Sequence, residues 1–314
     1  MGRQHRRGGE HEHDRGLAHD LRVMSRRRAL WMFGAAGAAG AAAVAAGCAS
    51  DDGAEAVTTS TAASTETPVA APAETAGPYP GDGSNGPNVL IESGVVRSDI
   101  TGSFGAYTGV AEGVPLTIDL TLHDLAAGTL GAGMALYLWQ CDREGRYSLY
   151  SDGVTEQNYL RGVQIADSAG KITFASIFPA CYDGRWPHLH FEVYDPLEAA
   201  VAGDNARLTS QIALPEDACE AVYAYDSGYS ASIPNLSAVS LDSDMVFGDG
   251  WDAELADVTG SPATGLTATL TIGVAEKSAN TSPDGGARGG MPPGASNGRP
   301  PGPPPGGTRP QPGN

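Results

Sequence analysis

Val114-Pro115-Leu116-Thr117-Ile118-Asp119-Leu120-Thr121-Leu122 places an apolar side chain at every second position for nine residues. That period matches a strand buried on one face and excludes an amphipathic helix. Ala135-Leu136-Tyr137-Leu138-Trp139, Ile172-Thr173-Phe174 and Leu266-Thr267-Ala268-Thr269-Leu270-Thr271-Ile272 are further short runs of the same kind, separated by Gly, Asn and Asp. No long helical pattern interrupts them, and only residues 215–223 have the composition of a short helix. The expected fold is all-β, a β-sandwich core. About 200 residues lie between two biased tails, enough for one well-buried domain and not for two.

One strand-like run also carries chemistry. In Arg185-Trp186-Pro187-His188-Leu189-His190-Phe191-Glu192-Val193-Tyr194 the two histidines are separated by one residue. On a strand they emerge on the same face, roughly 6.5 to 7 Å apart at the backbone, where two imidazoles can bind one metal. Four of the seven histidines fall in the first 19 residues, so His188 and His190 are two of the three left after them. Upstream, Gly145-Arg146-Tyr147 and Pro179-Ala180-Cys181-Tyr182 each offer a phenol where a turn meets a strand. Phenols are protonated near neutral pH, but a strong Lewis acid inverts that preference, and hard anionic oxygen favours a hard, highly charged ion. Two phenols and two imidazoles suit trivalent iron.

The stretch Trp139-Gln140-Cys141-Asp142-Arg143-Glu144-Gly145-Arg146-Tyr147, followed by Phe178-Pro179-Ala180-Cys181-Tyr182 and Arg185-Trp186-Pro187-His188-Leu189-His190, resembles the intradiol ring-cleavage dioxygenases of the protocatechuate 3,4-dioxygenase and catechol 1,2-dioxygenase types. Gly77-Pro78-Tyr79, Arg97-Ser98-Asp99-Ile100 and Gly113-Val114-Pro115-Leu116 extend the likeness, so that it covers residues from about 77 to 215. The resemblance implies the same β-sandwich. It implies a non-haem Fe(3+) held by Tyr147, Tyr182, His188 and His190, with Tyr182 the tyrosinate that substrate displaces. It makes Arg185 the arginine that steadies charge developing on the ring, and Gln211 a supporting glutamine at a longer spacing than in the protocatechuate enzymes. The implied reaction cleaves a catechol-type ring with O2 between its two hydroxylated carbons to give a cis,cis-muconate-type product. Tyr79 and Tyr159 either line the pocket or simply pack.

The first 48 residues read as an export signal. Ser25-Arg26-Arg27-Arg28-Ala29-Leu30 resembles a twin-arginine motif, and residues 29–46 form an apolar core of small residues. Ala45-Ala46-Gly47-Cys48 resembles a lipobox, which would make a lipidated Cys48 the new N-terminus and the protein an extracellular, cell-surface lipoprotein whose only membrane contact is that anchor. Residues 49–76, rich in Ser, Thr, Ala and Pro, read as a linker, residues 77–277 as the catalytic domain, and residues 278–314, dominated by Gly and Pro, as a disordered tail.

Taking the leader's eight basic and four acidic residues from the chain's 19 and 37 leaves 11 and 33, a net charge near −22. Nucleic acid is excluded as a partner because phosphate binding needs a basic face. The acidic surface disfavours anionic aromatic acids, so neutral catechols are the expected substrates. Of Cys141, Cys181 and Cys219, the pair Cys181 and Cys219 is the expected disulfide in an oxidising compartment, with Cys141 the alternative partner. Homo-oligomerisation is left open. Two readings compete with iron catalysis: copper or zinc on the two histidines, and a β-sandwich binding module without activity.

Overall fold

A computed structural model describes residues 68–201 and 206–277. The signal segment with Cys48, most of the proposed linker and the Gly/Pro-rich tail lie outside the described residues. Among the described residues no helix is long and apolar enough to cross a membrane.

Among the described residues, nine strands form two sheets. One contains β1 (Pro115–Asp124), β2 (Thr129–Leu130), β5 (Lys171–Ile177), β8 (Asp257–Ser261) and β9 (Gly265–Val274), in the order β2-β1-β9-β8 with β5 also paired to β1. The other contains β3 (Ala135–Trp139), β4 (Arg161–Ile165), β6 (His188–Tyr194) and β7 (Leu208–Ala213), in the order β4-β3-β6-β7. The β1–β9 pair is parallel and the other ladders are antiparallel. Alternation in β1 works as expected: Leu116, Ile118, Leu120 and Leu122 are buried, while Thr117, Asp119 and Thr121 between them are not. The aliphatic face packs into one continuous core with Leu136, Leu138, Leu189, Phe191 and Val193 of the second sheet, the arrangement of a β-sandwich.

β6 has no exposed face. All seven of its residues are buried, because its odd positions 189, 191 and 193 enter the core while the opposite face, with His188, His190 and Glu192, is roofed by loops. β6 is paired on both sides, to β3 and β7, so its backbone polar groups are satisfied by ladder bonds. The short helix expected over 215–223 is α2 (Glu216–Tyr225), which follows α1 (Leu197–Val201) and precedes α3 (Ser232–Leu236). From there to β8 the chain runs through short 3-10 turns.

Two expectations are corrected. The linker was expected to reach residue 76, yet Ala71 N donates to Gly273 O at 2.9 Å and Glu74 N to Thr209 O at 2.8 Å, and Ala71 is buried. Open backbone groups beside β9 and β7 capture this segment, an interaction its polar, Pro-containing composition does not advertise. The disulfide between Cys181 and Cys219 does not form, nor one with Cys141: all three are free, buried thiols. Each lies against a backbone carbonyl instead, Cys141 against Ala180, Cys181 against Arg185 and Cys219 against Leu214.

Candidate metal centre

The four candidate ligands converge. His188 and His190 leave the same face of β6 and bring their Nε2 atoms to 3.1 Å from each other. Tyr182 Oη lies 3.1 Å from His188 Nε2, Tyr147 Oη lies 3.1 Å from His190 Nε2, and the two phenol oxygens are 3.5 Å apart. Four donor atoms thus form a closed ring with edges of 3.1 to 3.5 Å. Ligands at about 2 Å from one ion stand about this far from their neighbours. Among the described residues no group of three or more His, Cys, Asp or Glu side chains is arranged to hold a metal; this ring has only two histidines and completes itself with phenols.

Each donor is held from behind. His188 Nδ1 is bonded to the carbonyl of Trp186; a carbonyl only accepts, so the proton sits on Nδ1 and the Nε2 lone pair faces the ring. His190 Nδ1 is buried without a hydrogen-bond partner, and the imidazole is fixed by packing. Trp139, its cross-strand partner on β3, stacks on it, and Gly77 approaches its Cε1 closely. Tyr147 lies in the loop between β3 and β4, and Tyr182 in the loop between β5 and β6. Both are therefore loop residues rather than strand-end residues. Asp142 braces the first loop by accepting from the backbone of Glu144 and Arg146 and from the hydroxyl of the buried Tyr159. Tyr79 sits at the mouth, its ring 5.1 Å from that of Tyr147 and 5.2 Å from that of Tyr150.

Electrostatics describe what the site needs. Burial pushes the Tyr147 phenol well above its ordinary range and Tyr182 up to about 12. Burial, with Arg185 and for His190 also His188 as like-charged neighbours, drives both imidazoles well below theirs. The protein alone therefore keeps all four donors neutral. Only a multivalent cation among them would favour phenolate, and the two lone-pair imidazoles complete a mixed oxygen and nitrogen set that suits it. The residues present fit a ferric ion.

Arg185 lies beside the ring with its side chain only 12% exposed. Its Nη2 donates to Gln211 Oε1 at 2.7 Å and its Nε to Asp244 Oδ2 at 2.9 Å. Gln211, opposite His190 on β7, also donates to Thr75 O at 2.9 Å. Gln211 thus meets the site through Arg185. Asp244 escaped the sequence reading, since nothing separates it from Asp242, Asp249 and Asp252 nearby. A surface groove lined by Asp119, Lys171, Thr173 and Thr269 lies on the opposite sheet and touches none of these side chains.

The family model described as Dioxygenase matches residues 101–219. An intradiol ring-cleavage dioxygenase from Tetranychus urticae superposes with a TM-score of 0.52 at 22% identity, over 66% of this chain and 95% of that one. A second dioxygenase crystal structure gives a TM-score of 0.50 at 23% identity with the same coverage. No curated protein matches. The matched segment is thus similar to the Dioxygenase model, and the fold is that of the intradiol ring-cleavage dioxygenase on which the chain superposes.

Proposed function

We propose that Tyr147, Tyr182, His188 and His190 hold one ferric ion, and that the domain uses O2 to cleave a catechol-type ring between its two hydroxylated carbons, giving a cis,cis-muconate-type product. The observation that carries this reading is the closed ring of four donor atoms, two phenol oxygens and two imidazole nitrogens, at 3.1 to 3.5 Å. Ferric iron, when bound, supplies Lewis acidity that makes the diol anionic and its ring electron-rich towards O2.

The remaining work falls to side chains. With the ion bound, Tyr182, less buried than Tyr147, would be the phenolate that gives way to substrate, and its oxygen would accept one of the two diol protons. Arg185 presents fixed positive charge where negative charge accumulates on the ring. Tyr79 forms an aromatic wall at the mouth. Neutral catechols are the substrates we favour, because the chain carries a large excess of acidic over basic residues. We also propose export by the twin-arginine route and a lipid anchor at Cys48, on the strength of the leader's two motifs.

A visible spectrum of the purified protein, with iron quantified, tests the reading. A tyrosinate-to-iron charge-transfer band that shifts when catechol is added without oxygen, followed by ring cleavage on admitting air, is the expected result. Stoichiometric copper or zinc with no such band would support the competing metal assignment, and iron-loaded protein that leaves catechol intact would support the non-catalytic one.

A further inference from the structure

We propose that Asp244 is the positioning residue of this site: it sets the Arg185 guanidinium in place before substrate arrives. The inference rests on the functional reading above. Asp244 is fully buried and its two oxygens accept four hydrogen bonds. Oδ2 takes Arg185 Nε at 2.9 Å and the Trp186 backbone N–H at 2.7 Å, while Oδ1 takes the backbone N–H groups of Val246 at 2.8 Å and Phe247 at 3.2 Å. The Val246 and Phe247 bonds fix the carboxylate within its own turn. The Arg185 and Trp186 bonds transmit that position to the loop preceding β6.

The grip leaves something free. Nε of Arg185 is held by Asp244 and Nη2 by Gln211, and among the described residues Nη1 has no acceptor. An arginine side chain has rotamer freedom to lose before its guanidinium can act from one position. Here that loss is incurred on folding, so one edge of the guanidinium stands ready for charge that appears only during the reaction. The same carboxylate fixes the Trp186 peptide, whose carbonyl orients His188. Asp244 lies 25 residues beyond the segment matched by the family model, 101–219, on a run of 3-10 turns opened by a Ser240–Ser243 capping box. This chain therefore completes its site with a segment outside the matched region.

A purely structural ion pair would make a different prediction, since its loss would lower stability and leave kcat of the folded protein unchanged. The test compares D244N, R185M and the double variant, loaded with iron and assayed with catechol. D244N is expected to keep its iron and its KM within a few-fold while kcat falls about ten- to hundred-fold. The double variant is expected to be slower than R185M by no more than about two-fold, because the Arg185 contact carries most of the effect and only the Trp186 bond is left to lose. Unfolding midpoints of the iron-free proteins are expected to show the same non-additivity. Wild-type kcat in D244N, losses that multiply in the double variant, or additive midpoints would overturn the proposal. Should D244N not fold, D244E replaces it, keeping both oxygens on an arm one methylene longer: lowered kcat with iron retained supports the proposal and unchanged kcat overturns it. A wild-type protein that neither binds iron nor cleaves catechol sinks the functional reading instead, and the iron-free comparison still decides whether Asp244 and Arg185 are coupled.

Discussion

Trp139 lies face to face on His190, ring centroids 5.0 Å apart and planes within 6° of parallel. The two are cross-strand partners on β3 and β6, and Tyr137 stacks on the far side of the indole at 4.9 Å. Because His190 Nδ1 has no hydrogen-bond partner, this stack supplies the orientation that a carbonyl supplies for His188. Trp139→Ala should therefore cost about 3 to 5 kcal/mol of stability through the cavity it leaves and release iron on dialysis. Trp139→Phe should be milder on both counts. Thermal melts with iron analysis decide; iron retention in a folded Trp139→Ala protein would show that the stack is not what orients His190.

Gly77 tests the space beside the same imidazole. Its φ of +70° belongs to the region glycine tolerates, and a Cβ there would stand 3.3 Å from His190 Cε1. Gly77→Ala should destabilise the protein by about 1 kcal/mol from backbone strain and weaken iron retention by crowding the ring. Equilibrium dialysis against a chelator measures the second effect, and wild-type retention would mean the imidazole simply yields.

Stability should depend on pH through buried carboxyls. Burial first, then the nearby Glu74 carboxylate, raises Glu254 to about 8, and one of its oxygens has no partner. A carboxyl raised in the folded state favours folding below its unfolded pKa, near 4.5, and that contribution fades as pH rises through 8. Glu74 and Glu192, each raised to about 7 mainly by burial, act in the same direction. The wild type should thus lose stability between pH 5 and 9. Glu254→Gln should flatten the upper part of that decline, an effect on the order of a few kcal/mol, readable in denaturant midpoints at pH 6 and 9. Parallel curves for the two proteins would place Glu254 outside the linkage.

The thiols offer a chemical check. Cys141, Cys181 and Cys219 are buried and unpaired, and burial holds the Cys181 thiol up at about 12 and the other two higher still. Protonated, enclosed thiols react slowly. Alkylating agents should leave all three untouched in native protein and label all three after unfolding without reductant, as mass spectrometry of peptides would show. A linked pair among them after unfolding would restore the expected disulfide.

What the sequence made legible follows from how local each signal is. The period-two run at 114–122 names β1 because each alternate residue carries its own vote on which face is buried. The His-x-His pair needs only strand geometry to bring two imidazoles to one side. Tyr147 and Tyr182 have no such periodicity, and the family resemblance rather than any pattern assigned them. Asp244 was beyond reach because its role depends on a run of turns with no repeating period, ending 59 residues from its guanidinium partner. The linker boundary failed for a related reason: residues 70–75 are held by backbone hydrogen bonds, which any side chain permits. Cys181 and Cys219 looked pairable because composition carries no information on where their sulfur atoms point.

The donor atoms come from parts of the molecule that differ in rigidity. His188 and His190 belong to a strand laced to neighbours on both edges and covered on both faces, whereas Tyr147 and Tyr182 ride on connecting loops. Stripping the ion should accordingly leave a nitrogen platform standing while the phenols relax. On the proposed ligand set, the β-framework would mature first, the imidazoles would capture the incoming ion, and the aromatic oxygens would close over it last.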